Sequence, residues 1–258
     1  MRQTDILVIG GGIAGTATTC FLAQHGRQVL LLEQSELAAE ASGLNAGTLW
    51  ATGWGRTPDL SSTLCMGSLE IFQTLQLDLG YDLEFRQDGS LQAMQTEEEH
   101  AFARREAQKL LARGHHVELL DSRDARDIEP ALAPGIVGCL YYPYGGNADP
   151  VKTALALASL AQRRGATILT HHEVTDIAHL DDGAYQVVTP LATFRAKTLV
   201  GDHSRTGVNC LLAERGSSCC SVCTRRDSSQ PSVQFAPVLE WSHSLRFIVQ
   251  LFQHYETG

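Results

Sequence analysis

At 258 residues with 43% apolar side chains, the chain can bury a sizeable core, either as one large domain or as two small ones. A formal charge of -9 and no basic run longer than the doublets Arg104-Arg105, Arg163-Arg164 and Arg225-Arg226 argue against nucleic acid as a partner. No stretch of 18 apolar residues is present to span a bilayer, and the apolar run Ile6–Ile9 is too short for a secretory signal, so the expected location is cytoplasmic.

The segment Asp5-Ile-Leu-Val-Ile9 has strand length and no charge inside it, which suits a central parallel strand covered on both faces. Gly10-Gly-Gly-Ile-Ala-Gly15 follows directly. Gly10 permits a tight turn out of the strand, Gly12 lets backbone approach a pyrophosphate, and Gly15 lets the next helix pack close to the sheet. That helix opens at Ile13 and Ala14, carries Ala17, Phe21 and Leu22 at helical spacing, and stops at Gly26. Its N-terminus points free N–H groups and a positive dipole end at a diphosphate.

Val29–Leu32 reads as a second buried strand ending at Glu33, with Gln34 after it. The Glu33 carboxylate lies about where this fold places the acceptor for ribose hydroxyls, and it would repel the 2'-phosphate of NADP. Strand, glycines, helix, glycine stop, strand and acid arrive in order, which an ordinary Gly-rich turn does not require. The motif alone leaves FAD and NAD both open, since each presents ADP to it.

The next segment, Glu40-Ala-Ser-Gly-Leu-Asn-Ala-Gly47, resembles the second flavin contact of the D-amino-acid oxidase-like FAD-dependent oxidoreductases. That family includes glycine oxidase, sarcosine oxidase and D-amino-acid dehydrogenases. The resemblance implies that Ser42, Asn45, Ala46 and Gly47 wrap the diphosphate and reach the flavin of FAD, where small residues leave room for the ligand. A flexible Ser/Gly/Asn loop without a ligand is the competing reading.

Further along, the family order continues in looser form. Phe85–Leu91 reads as a strand, an Asp88-Gly89 turn and a second strand. Glu97–Arg113 is a charged amphipathic helix, and Val117–Leu120 followed by Asp121–Pro130 reads as a short strand and helix. Tyr141, Tyr142 and Tyr144 could line a substrate site or belong to a buried strand and its turn, and Trp50 and Trp54 could cover the flavin or pack beneath it. Asp149-Pro150 starts a helix closed by Gly165, Ala166–Thr170 is a strand, and the resemblance implies that the backbone of Val174 meets the adenine. An ordinary buried valine is the alternative there.

The resemblance covers residues 4 to about 200 and implies an α/β fold. A Rossmann-like FAD-binding domain (1–80 and 150–200) is interleaved with an incomplete α+β substrate domain (81–149). After the strand Lys197–Val200 the expected small-residue turn is replaced by Gly201-Asp-His-Ser-Arg205, and serines and cysteines crowd the remainder. Residues 201–258 are therefore expected to be an atypical, irregular tail in place of the family's C-terminal half, as after truncation or a frameshift, with a divergent but folded tail as the alternative. A zinc site on Cys220-x-x-Cys223 lacks a second matched pair, and Cys20, Cys65 and Cys139 read as small packing residues.

The implied activity is oxidation of a small amine or amino acid, with hydride passing to the flavin and the imine product then hydrolysed. The alternatives are a catalytically inactive remnant that at most binds FAD or ADP-containing ligands, and an NAD-dependent dehydrogenase.

Overall fold

A computed structural model describes residues 1–49 and 58–201, with 58, 59 and 61 described by backbone alone. The expectations for Trp50, Trp54 and the residues after Gly201 lie outside the described residues. The chain begins with strand β1 (Arg2–Ile9), helix α1 (Ile13–Gln24) and strand β2 (Val29–Leu32). It continues through β3 (Thr48–Leu49), α2 (Pro58–Gln73), a π turn (Thr74–Asp78), β4 (Ser90–Met94), α3 (Glu97–Ala112), β5 (Glu118–Asp121), α4 (Ser122–Ile128), β6 (Gly138–Tyr142) and β7 (Gly146–Asn147). The last elements are α5 (Pro150–Arg163), β8 (Thr167–Leu169), β9 (Asp176–His179), β10 (Tyr185–Val188) and β11 (Thr193–Gly201). Contacts divide these into two units, one of Met1–Asn45 with the described residues from Pro150 onward, the other of Ala46–Asp149.

The first unit is an α/β layer around a mixed six-stranded sheet in the order β8-β2-β1-β11-β10-β9. β8, β2, β1 and β11 run parallel, and β11, β10 and β9 form an antiparallel meander. Strands buried on both faces must be apolar throughout, and all four residues of β2 are buried. Val8 faces Gly15 of α1, which packs along α5. By the two-residue repeat of a strand, Leu7 and Ile9 then face the other side, where they join Leu30, Leu32, Val187 and Phe194 in one core. Gly26 ends α1 at φ +68°, and the Arg27 N–H reaches back to the Leu22 carbonyl.

One buried group of α1 has no partner. The Thr19 hydroxyl is fully buried and meets no hydrogen-bonding atom among the described residues. Desolvating a hydroxyl without compensation costs about 1–3 kcal/mol, so Thr19→Val, which keeps the shape, should raise the urea unfolding free energy by about 1 kcal/mol. A lower midpoint in Thr19→Val would contradict this account.

In the second unit β6 is the central strand of the antiparallel order β4-β6-β5. α3 covers one face through Ala107 and Leu110 against Leu140 and Tyr142, and Ala125 of α4 covers the other against Cys139 and Leu120. Thr96 and Glu99 close a reciprocal capping box on α3. In the π turn, the Gln76 amide both donates to the Phe85 carbonyl and accepts from its N–H, at 2.9 and 2.8 Å, as a neighbouring strand would.

The expected hairpin over Phe85–Leu91 does not form. Its first arm contributes a single bridge, Arg86 to Asn147, while the second arm is β4 and pairs with β6. Gly89 sits between them at φ +86°, and the Tyr141 ring occupies the space a side chain there would need, so the two arms are turned to different partners.

Asp121 caps α4 by accepting from the N–H groups of Arg123 and Asp124 at 2.8 and 2.9 Å. Those bonds hold its carboxyl below the usual carboxylate range. A depressed folded pKa contributes stability that is present above the unfolded pKa and lost as pH falls through the folded one. Asp121→Asn should therefore show a shallower loss of stability as pH falls below about 4, the ordinary Asp range, in denaturant melts.

Candidate functional site

The register of the first unit levels the carboxyl ends of its parallel strands, with Ile9 beside both Leu32 and Gly201, and Leu32 beside Leu169. In open parallel sheets this edge is where ligands bind. The Gly10 N–H donates to the Leu32 carbonyl at 2.8 Å, which starts the turn, and α1 begins three residues later. Gly15 enters the helix against the turn itself. A Cβ at Gly15 would overlap the Gly10 carbonyl oxygen, so only glycine allows the helix to start this close to β1.

The N-cap of α1, Gly12, has no side chain to cap with, and the first turn holds no acid. The Ile13 N–H instead finds the Ser42 hydroxyl at 3.0 Å, from a residue far along the chain. Asn45 fixes the turn that carries Ser42 by donating to the carbonyls of Ala41 and Ser42 at 3.1 and 2.9 Å. Among the described residues nothing accepts from the N–H groups of Gly12, Ala14 or Gly15. The result is a positive helix end with three free donors beside the Ser42 bond, an arrangement suited to a diphosphate.

Glu33 stands at the end of β2 and is buried, 9% exposed. One carboxylate oxygen accepts from the Gly11 N–H at 2.6 Å, and the other accepts from the N–H and hydroxyl of Ser35 at 2.8 and 3.2 Å. Its own carbonyl accepts from the His172 N–H at 2.8 Å, which ties the segment after β8 to the same edge. Gln34 is exposed beside it. Val174 follows in that segment, with its side chain in the sheet core and no partner for its backbone N–H or carbonyl among the described residues.

Residues 5–213 match the family described as FAD dependent oxidoreductase. The chain belongs to that family. Its α/β sheet matches solved family members: the crystal structure of glycine oxidase from Geobacillus kaustophilus superposes with a TM-score of 0.71 at 28% identity, covering 78% of this chain and 55% of that one. An opine oxidase subunit from Rhizobium meliloti is 25% identical over 249 residues, 83% of this chain and 67% of that protein. An anaerobic glycerol-3-phosphate dehydrogenase subunit from Haloferax volcanii is 31% identical over 176 residues, 68% of this chain and 29% of that protein. The chain thus spans from under a third to two thirds of the length of these relatives.

Within this family member the predicted residues Gly10, Gly12, Ile13, Ala14, Gly15, Glu33, Ser42, Asn45 and Val174 all fall in the first unit, while Ala46 and Gly47 begin the second. Gly47 adopts φ +69°, and its carbonyl accepts from the Ala148 N–H at 3.0 Å. The free amides, the lack of room for side chains and the buried Glu33 carboxylate are a donor and acceptor set that fits the ADP part of FAD. One residue escaped the sequence reading. Gly11 was given no role by the motif, yet a Cβ there would come within 2.6 Å of Leu37 and 2.9 Å of Glu33.

Other candidates are absorbed by the fold. Tyr142 is buried on the α3 side with its hydroxyl donating to Gln92 at 3.2 Å, and Tyr141 lies over Gly89, so these rings serve the second unit's own packing. Burial pushes the thiols of Cys20 and Cys139 up, which leaves neither as a thiolate nucleophile. Among the described residues there is no metal-binding cluster, and no helix is long and apolar enough to cross a membrane.

Proposed function

We propose that the chain holds FAD through its first unit and serves an oxidation of a small amine or amino acid, with the second unit forming part of the substrate domain. The observation that carries this reading is the open end of α1, where Gly12, Ala14 and Gly15 offer free N–H groups between Glu33 and Ser42. The diphosphate would lie on those amides, Glu33 would face the ribose, and the free backbone groups of Val174 would meet the adenine. When bound, FAD supplies a two-electron acceptor for the hydride on the amine-bearing carbon, and water then hydrolyses the resulting imine.

The protein's own share is binding and orientation. Helix-end donors would hold the negative diphosphate. The amine reading draws on glycine oxidase and opine oxidase among the relatives. The glycerol-3-phosphate dehydrogenase relative supports a second reading, with a hydroxyl-bearing substrate.

The test is spectroscopic. The purified chain, supplied with FAD and freed of excess, should show a bound flavin spectrum that bleaches without oxygen when glycine, sarcosine or a D-amino acid is added. Bleaching by glycerol 3-phosphate alone would move the substrate class. Flavin that binds but never bleaches would leave a nucleotide-binding protein without this activity, and a colourless protein would remove the reading altogether.

A further inference from the structure

We infer that Glu33 is a positioning residue for the diphosphate loop, delivering its effect on nucleotide affinity through Gly11 rather than mainly through the sugar. This rests on the nucleotide-binding reading above. An ionised carboxylate has about four lone-pair sites. Three are already engaged inside the protein, by the Gly11 N–H at 2.6 Å and by the N–H and hydroxyl of Ser35 at 2.8 and 3.2 Å. One site is left for a ribose hydroxyl.

The Gly11 bond is the short one of the three, and it joins the middle of the glycine turn to the end of β2. The same residue is held on its other side, where its carbonyl accepts from the Ala38 N–H at 3.0 Å. Ala38 takes a left-handed backbone, φ +57°, which is unfavourable for a residue with a side chain and persists only where surrounding bonds demand it. Gly11 is therefore gripped through both its N–H and its carbonyl by the segment that follows β2. The free Gly12 N–H shares a peptide plane with the Gly11 carbonyl, so the Ala38 bond sets its direction while the Glu33 bond anchors the peptide plane before it. No side chain fits at position 11 without displacing Glu33 or Leu37, which makes the glycine and the acid one unit.

A carboxylate that acted only on the sugar would matter only to ligands with sugar hydroxyls. The experiment compares Glu33→Gln with the wild-type 258-residue chain for binding of ADP and of 2',3'-dideoxyadenosine 5'-diphosphate by calorimetry. It adds the hydrogen exchange of the Gly11 amide by NMR without ligand. The expected result is a loss of affinity for both ligands, about tenfold or more for each, together with faster Gly11 exchange. A loss confined to ADP, or Gly11 exchange unchanged by the substitution, overturns the inference.

Should Glu33→Gln fail to fold, Ser35→Ala keeps the charge and removes one of the donors that aim it. Its affinity for the two ligands should fall by the same few-fold factor, and a fall for ADP alone again counts against the proposal. If the wild type binds neither ligand, the nucleotide reading itself has failed, and the exchange rate alone decides whether Glu33 holds Gly11.

Discussion

Gly15→Ala is expected to abolish retention of FAD and to lower the unfolding free energy by about 3 kcal/mol, at the upper end of what overpacking usually costs. The added Cβ would overlap the carbonyl oxygen of Gly10, which belongs to the turn between β1 and α1 and cannot swing aside as a side-chain end can. α1 would have to lift from β1, and the free N–H groups of Ala14 and Gly15 would move with it. Gly26→Ala is the control. It adds the same methyl group at the other end of α1, meets nothing within 4 Å, and suffers only the left-handed backbone at φ +68°. Its cost should be about 1 kcal/mol with FAD binding retained. Flavin content after gel filtration and urea midpoints of the two variants give the comparison, and equal flavin content in both would refute the role assigned to Gly15.

Phe194→Ala should cost about 3–5 kcal/mol. Phe194 is fully buried in β11, at the centre of the core shared by Leu7, Leu30, Val187 and Val174. Its ring also meets the edge of His172, with centroids 6.0 Å apart. His172 is the residue whose N–H holds the Glu33 carbonyl, so the cavity would loosen the segment carrying Val174 as well as the sheet. The measurable outcome is a large drop in the urea midpoint with weaker FAD binding in the fraction that remains folded. A loss below about 1 kcal/mol would mean that this core is not packed as described.

Much of the first unit was legible in the amino-acid sequence because each element there obeys a local rule. Val29–Leu32 is apolar throughout because both of its faces are covered, and Gly26 stops α1 because the chain there needs a left-handed backbone. The spacing of Gly10, Gly12 and Gly15 marks a turn and a close helix whatever the rest of the chain does. The helix from Glu97 was readable from its amphipathic pattern and the helix from Pro150 from its start signal and periodicity, while the strand near Glu118 was legible only through the order of elements in the family.

Pairings between distant segments were not. The hairpin expected at Asp88-Gly89 failed because Tyr141, some fifty residues away, packs over the glycine and β4 joins β6 instead. The meander was legible only in the Lys197–Val200 part of β11: β9 and β10 are four residues each and join the core with Leu7 and Ile9 only across the sheet.

Fold class, the glycine turn after β1 and the acid after β2 are written into the chain locally, because glycine spacing and strand composition act within one segment. The Ser42 bond to the start of α1 and the Glu33 bond to Gly11 come from tertiary folding alone. Each of these is a hydrogen bond between residues more than twenty positions apart, and it exists only once the parallel strands have brought their carboxyl ends level.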